Sequence, residues 1–208
     1  MASIKYSMLR KFTILLVFIT SIAGHSQNFS TLWEGYFSYY DIKDITRSDT
    51  KIYAASENAI FSYDLVTNEL STITTIEGLS GETISTIHYS FEYQLLVIGY
   101  RNGLIELYFE SDASILTVVD ILEKTTISPS KKSINHFNEY NGLVYIATDY
   151  GISVYDLQRL EFGDTYFIGN GGSQIIVNQT TIFGESVYAA CGNGNALKKA
   201  QLDNPNLI

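Results

Sequence analysis

One pattern recurs four times along the chain: an apolar run, a tight turn, a second apolar run and a Tyr-Asp-like ending. The clearest copy runs from Leu143 to Leu157. It matches Lys51 to Leu65 residue for residue, Leu95 to Tyr108 follows likewise, and Ser186 to Gly194 begins another copy. With Tyr53, Val97, Tyr145 and Tyr188 as anchors, the repeat recurs at about 45 residues, the length of a four-stranded propeller blade. Helical repeats of similar length are excluded by the local period. Val144 and Ile146, then Ile152 and Val154, alternate with other side chains at two-residue spacing, whereas a helix needs three or four. The runs are rich in aromatic and β-branched residues, which suit pleated, half-buried strands.

Each unit reads as a meander. In the third copy the strands are expected near Ser133 to Phe137, Leu143 to Ala147, Ile152 to Asp156 and Leu160 to Phe167. Asn102-Gly103 is placed at the turn between the second and third strands, where a two-residue hairpin needs positive φ. Tyr150-Gly151 and Asn58-Ala59 are placed at the same joint, and Thr67-Asn68 at the next. A sheet of this kind is apolar on both faces, so each unit is stable only between neighbours. The fold class is therefore all-β, a β-propeller of four-stranded antiparallel blades, with units near residues 42–77, 84–122, 133–168 and 175–208, the last incomplete. About four blades is fewer than the commoner propellers, so the chain reads as a fragment whose exposed blade face would favour aggregation.

Residues 1–26 are set apart from this domain. Lys5, Arg10 and Lys11 precede the short apolar run Phe12 to Ala23, and Gly24 and Ser26 sit before an expected cut at Gln27, the arrangement of a signal peptide. A lipid-modified export signal needs a cysteine after the cut, and the single cysteine is Cys191. That cysteine also rules out an intrachain disulfide, so the fold must rest on its core; hydrophobic residues make up 46% of the chain and charged ones 17%, which permits one. The net charge is −9, and removing a leader with three basic and no acidic side chains makes the rest more acidic still. Such a field repels phosphate backbones and anionic headgroups, which argues against nucleic-acid or membrane-surface binding.

No serine, cysteine or carboxylate sits in a recognisable catalytic pattern, so the chain reads as a non-enzyme with no cofactor and no assigned catalytic or metal residue. Cys191 lies on an apolar strand where a small buried residue is expected. His88 and His136 fall at the same register of successive units, with Asp44 and Gln179 at the corresponding places, which raises a ring of polar groups near the channel. Blade geometry separates equivalent atoms by more than metal ligation allows, and strand-end polar residues are the plainer reading. Gly169 to Gly172 precedes no helix and is read as a loop between blades rather than a phosphate cradle. The triplets at Asn28 and Asn178 resemble glycosylation sites and are given little weight. Asp41, Asp44 and Asp49 lack calcium-loop spacing. The sixteen tyrosines mostly alternate within strands, as interblade packing requires.

The stretch Gly78 to Ile87 and the third copy, with Tyr145 to Thr148, Gly151-Ile152 and Tyr155-Asp156, resemble the repeat of two-component-regulator propellers, with tyrosine where tryptophan is frequent. A narrower resemblance lies at Trp33 to Ile45, which leads straight into the first unit and is similar to the PorZ family of the type IX secretion system. That resemblance implies an exported protein, passing through the periplasm to the outer-membrane surface, with two propellers and a β-rich C-terminal domain. It also implies work alongside the sortase PorU in supplying anionic lipopolysaccharide for attachment to secreted cargo, with sugar binding in regions beyond this sequence. The rival reading is the ligand-sensing periplasmic propeller of a hybrid two-component histidine kinase.

Overall fold

The computed structural model describes residues 41–194 and 196–202; the expected signal peptide lies outside them, as does the Trp33 to Ile45 segment up to residue 40. Four antiparallel meanders follow one another. The first is β1 (Asp44–Arg47), β2 (Lys51–Ala55), β3 (Ile60–Asp64) and β4 (Leu70–Ile73); the second is β5 (Ile84–Ser90), β6 (Leu95–Tyr100), β7 (Ile105–Phe109) and β8 (Ile115–Val118). A short helix, α1 (Asp120–Glu123), precedes the third: β9 (Ile134–Tyr140), β10 (Leu143–Thr148), β11 (Gly151–Asp156) and β12 (Glu161–Tyr166). The last sheet has three described strands, β13 (Val177–Phe183), β14 (Ser186–Cys191) and β15 (Leu197–Gln201). Among the described residues, no helix is long and apolar enough to cross a membrane.

Alternation within single strands explains how the sheets stack. On β6, Leu95 and Val97 face the third blade and join Phe137, Val144 and Ile146, while Leu96, Ile98 and Tyr100 face the first and join Tyr53, Ile60 and Ile84. On β10, Val144 and Ile146 pack back against the second blade, and Tyr145 and Ala147 pack forward against Val177, Val187 and Ala189 of the fourth. A strand of period two that is apolar at every position must be covered on both sides, and all six residues of β6 are buried. The outermost strands, β4 and β8, have only one buried residue each, since one edge of every blade meets solvent.

Each Tyr-Asp ending has a local cause. Asp64 Oδ1 accepts the backbone N–H groups of Val66 and Thr67 at 2.8 and 3.0 Å, and Asp156 Oδ1 accepts those of Gln158 and Arg159, both at 2.9 Å. The carboxylate thus closes the turn to the fourth strand, and Asn68 takes the left-handed conformation expected there, φ 60°. The turn at Asn102-Gly103 differs from the two-residue hairpin. Only Gly103 has positive φ, 91°, and Tyr100 N–H reaches Leu104 O at 3.1 Å across a loop one residue longer than at the equivalent joints of the first and third blades. As a result Leu95 pairs with Phe109, not Tyr108, and the gapless match of the second copy fails beyond the turn. At the equivalent joint of the third blade the turn residues are Asp149-Tyr150, because Gly151 already pairs with Thr148. Neither Asn58 nor Ala59 has positive φ; Ser56 closes that turn on Ala59 O instead.

Candidate functional site

The first strand of each blade lies beside the first strand of the next, so its polar side chains meet across the blade boundary. Asp44 Oδ2 accepts from Thr86 Oγ1 at 2.6 Å and from Ile87 N–H at 3.0 Å. Thr46 Oγ1 accepts Tyr89 N–H at 3.3 Å. Glu139 of β9 receives Ser90 Oγ at 2.9 Å and lies 3.0 Å from His88 Nε2. Asn135 donates to Val177 O at 2.9 Å and to Asp149 Oδ1 at 2.8 Å.

These pairings correct the expected polar ring. Asp44, His136 and Gln179 do occupy equivalent positions, opposite Ala55, Ala147 and Ala190, but the fourth member is Thr86, opposite Gly99. His88 pairs with Val97 and is equivalent to Thr46, Asn138 and Thr181. The offset arises in the hairpin turns. Residues 91–94 separate β5 from β6, whereas only Asn141-Gly142 separates β9 from β10, so spacing measured on second strands does not transfer to first strands. Burial pushes the His136 imidazole below its ordinary pKa; nearby Asp44 opposes this and His88 reinforces it. Its Nδ1 is buried without a hydrogen-bond partner among the described residues. Among those residues no three His, Cys, Asp or Glu side chains gather as metal ligands.

Asp41, Asp44 and Asp49 are not brought together: Asp41 pairs with Lys43, Asp44 holds the second blade, and Asp49 lies in the turn after β1. Residues 169–172 connect β12 to β13. Asn178 projects from β13, not from a loop. Cys191 is half-buried and its thiol lies 3.5 Å from Ala189 O; burial raises its pKa, with Lys198 countering in part.

Two carboxylates escaped the sequence reading. Glu110 receives the hydroxyls of Tyr53 and, at 2.5 Å, Tyr89, and Lys51 Nζ stands 3.3 Å away. Burial alone would raise its pKa, but these donors outweigh it and hold the carboxyl below the ordinary range. Glu106 is fully buried on β7, receiving the Tyr100 hydroxyl and Ser80 N–H at 3.1 Å. There burial prevails over the hydrogen bonds and the pKa rises.

A further group becomes visible only with the register. β5, β9 and β13 each carry a bulge, at Ser85, Asn135 and Asn178, and Lys43 precedes β1 at the equivalent place, its N–H on Ala55 O at 2.8 Å. Bulges re-aim side chains. These four residues, one from each blade, line a single cavity of about 560 Å³ together with Arg101, Ser133 and Ile134.

Residues 52–208 match the family described as the type IX secretion system PorZ N-terminal beta-propeller domain. Among solved structures, PorZ of Porphyromonas gingivalis, a bacterial surface component of that system, is similar with TM-score 0.68 and 19% identity over 84% of this chain and 23% of its own. The extracellular domain assigned to the hybrid two component system BT4673 of B. thetaiotaomicron is similar with TM-score 0.64 and 17% identity, covering 83% and 23%. Saccharomyces cerevisiae Sqt1 gives 0.62 and 16%, covering 81% and 48%. Among curated proteins none matches the chain in sequence. At such identities the structural likenesses establish the propeller fold, and the chain spans less than a quarter of the PorZ structure. The sequence match covers most of the chain and carries more: the chain belongs to the PorZ N-terminal β-propeller family.

Proposed function

We propose that the chain is a non-catalytic, cell-surface propeller scaffold of the type IX secretion system, aiding delivery of anionic lipopolysaccharide to the sortase that attaches it to secreted cargo. Family membership is the observation that carries this reading. The local chemistry agrees with it. The polar residues of the inner strands are largely engaged in holding one blade to the next, which suits a rigid support for contacts made by its surface loops. In this reading the protein is exported through the periplasm to the outer-membrane surface, needs no cofactor, and works beside PorU and other secretion components. Deletion of the gene is expected to leave cargo secreted but unmodified or mislocalised, as read by cell fractionation and immunoblotting. Normal surface attachment of cargo in the deletion strain would overturn the proposal.

The likeness to the hybrid two component system favours one alternative, a periplasmic propeller that senses a ligand for a histidine kinase. That alternative expects the deletion strain to lose a transcriptional response to polysaccharide fragments while cargo attachment stays intact. The same strain therefore separates the two.

A further inference from the structure

The cavity at the bulges has an unexpected lining. In a chain of net charge −9, the described residues of its walls are Lys43, Ser85, Arg101, Ser133, Ile134, Asn135 and Asn178, without a carboxylate among them. Two neighbouring carboxylates are already engaged. Asp41 pairs with Lys43, and Asp149 holds the Asn135 amide. Ser85 Oγ is committed to Gly99 O and Ser133 Oγ to Asn135 Oδ1. Two side chains are left uncommitted. The Arg101 guanidinium and the Asn178 amide have no hydrogen-bond or ion-pair partner among the described residues. Lys43, with three N–H donors and a single carboxylate partner among the described residues, keeps donors to spare there.

We propose that this cavity binds an oxyanion group, phosphate or carboxylate, of a small ligand. Arg101 supplies the planar fork that matches two oxygens, Asn178 a neutral donor, and Lys43 a second positive charge. The volume is that of an ordinary small-molecule site. Arg101 owes its place to the lengthened turn between β6 and β7, and Asn178 to the bulge in β13, so two independent irregularities of the repeat converge on one cavity. The proposal stands apart from the role in secretion, because it concerns only what the purified protein binds.

The test is titration of the full chain with inorganic phosphate and, separately, with glucuronate, at ionic strength held constant with sodium chloride. Binding is followed by calorimetry and by amide resonances. Saturable shifts centred on Arg101 and Asn178 are expected with at least one anion; a response to phosphate alone or glucuronate alone supports the site and identifies its anion. Arg101→Gln should weaken binding tenfold or more, Arg101→Lys less, and Asn178→Ala should weaken it in a chain whose Arg101 is intact. No saturable response to either anion overturns the proposal, and so does binding that both Arg101→Gln and Asn178→Ala leave unchanged.

Discussion

Glu110 illustrates how one residue serves two blades. It occupies the place that Leu65 and Leu157 hold in the first and third blades, its N–H closing on Gln94 O as theirs close on Thr50 O and Gly142 O. From there its carboxylate gathers Tyr53 of the first blade with Lys51 and Tyr89. Because its folded pKa is lowered, its contribution is present above the unfolded carboxyl pKa of about 4.3 and fades as pH falls through the lower folded value. Glu110→Gln is expected to cost about 2 kcal/mol at pH 7 by urea denaturation, as hydrogen bonds to a charged group are lost, with the difference shrinking towards pH 3. Glu106 has the opposite sign: its raised pKa means that ionisation costs stability as pH climbs past the ordinary carboxylate range. Neither role was legible in the sequence. The extra residue at Gly103 shifts Glu110 by one place relative to the visible repeat, and only the three-dimensional register restores its equivalence to the two leucines.

At the scale of strands, the second and third of each blade were the most legible, because continuous apolar runs with a two-residue period leave few alternatives. First strands were less so. Their polar residues resemble solvated edges in sequence, and their bulges follow no composition rule, so His88 was matched with His136 when Thr86 is its structural counterpart. Gly99 shows what a correct register adds. Its equivalents are Ala55, Ala147 and Ala190, yet a methyl group at Gly99 would stand 2.7 Å from both Ile134 Cγ2 and the Phe137 ring of the neighbouring blade. Gly99→Ala is therefore expected to destabilise by about 1–3 kcal/mol through overpacking, although alanine is the norm at that position. Phe137→Leu in the same chain should recover part of the loss. A thermal melt of the single and double variants checks both statements.

For the molecule as a whole, stability is the sum of blade-to-blade contacts more than of the blades themselves. The second and third blades are covered on both faces by described neighbours, and their shared cluster runs from Leu95 and Val97 to Tyr155 and Leu157. The cluster between the third and fourth blades is smaller, and Phe183 and Leu197 on the last sheet are largely exposed. Hydrogen exchange should accordingly be graded, with the amides of β6 and β10 slowest and those of β15 fastest. Uniform protection across all four sheets would contradict a stack held together by its neighbours.

The bulges of the first strands give this architecture an unusual freedom. Each adds a side chain beside the cavity without altering which residues of β6, β10 or β14 pack between blades. Relatives could therefore exchange the serine or asparagine at those points, and with it the preferred ligand, while inheriting the same apolar stack untouched.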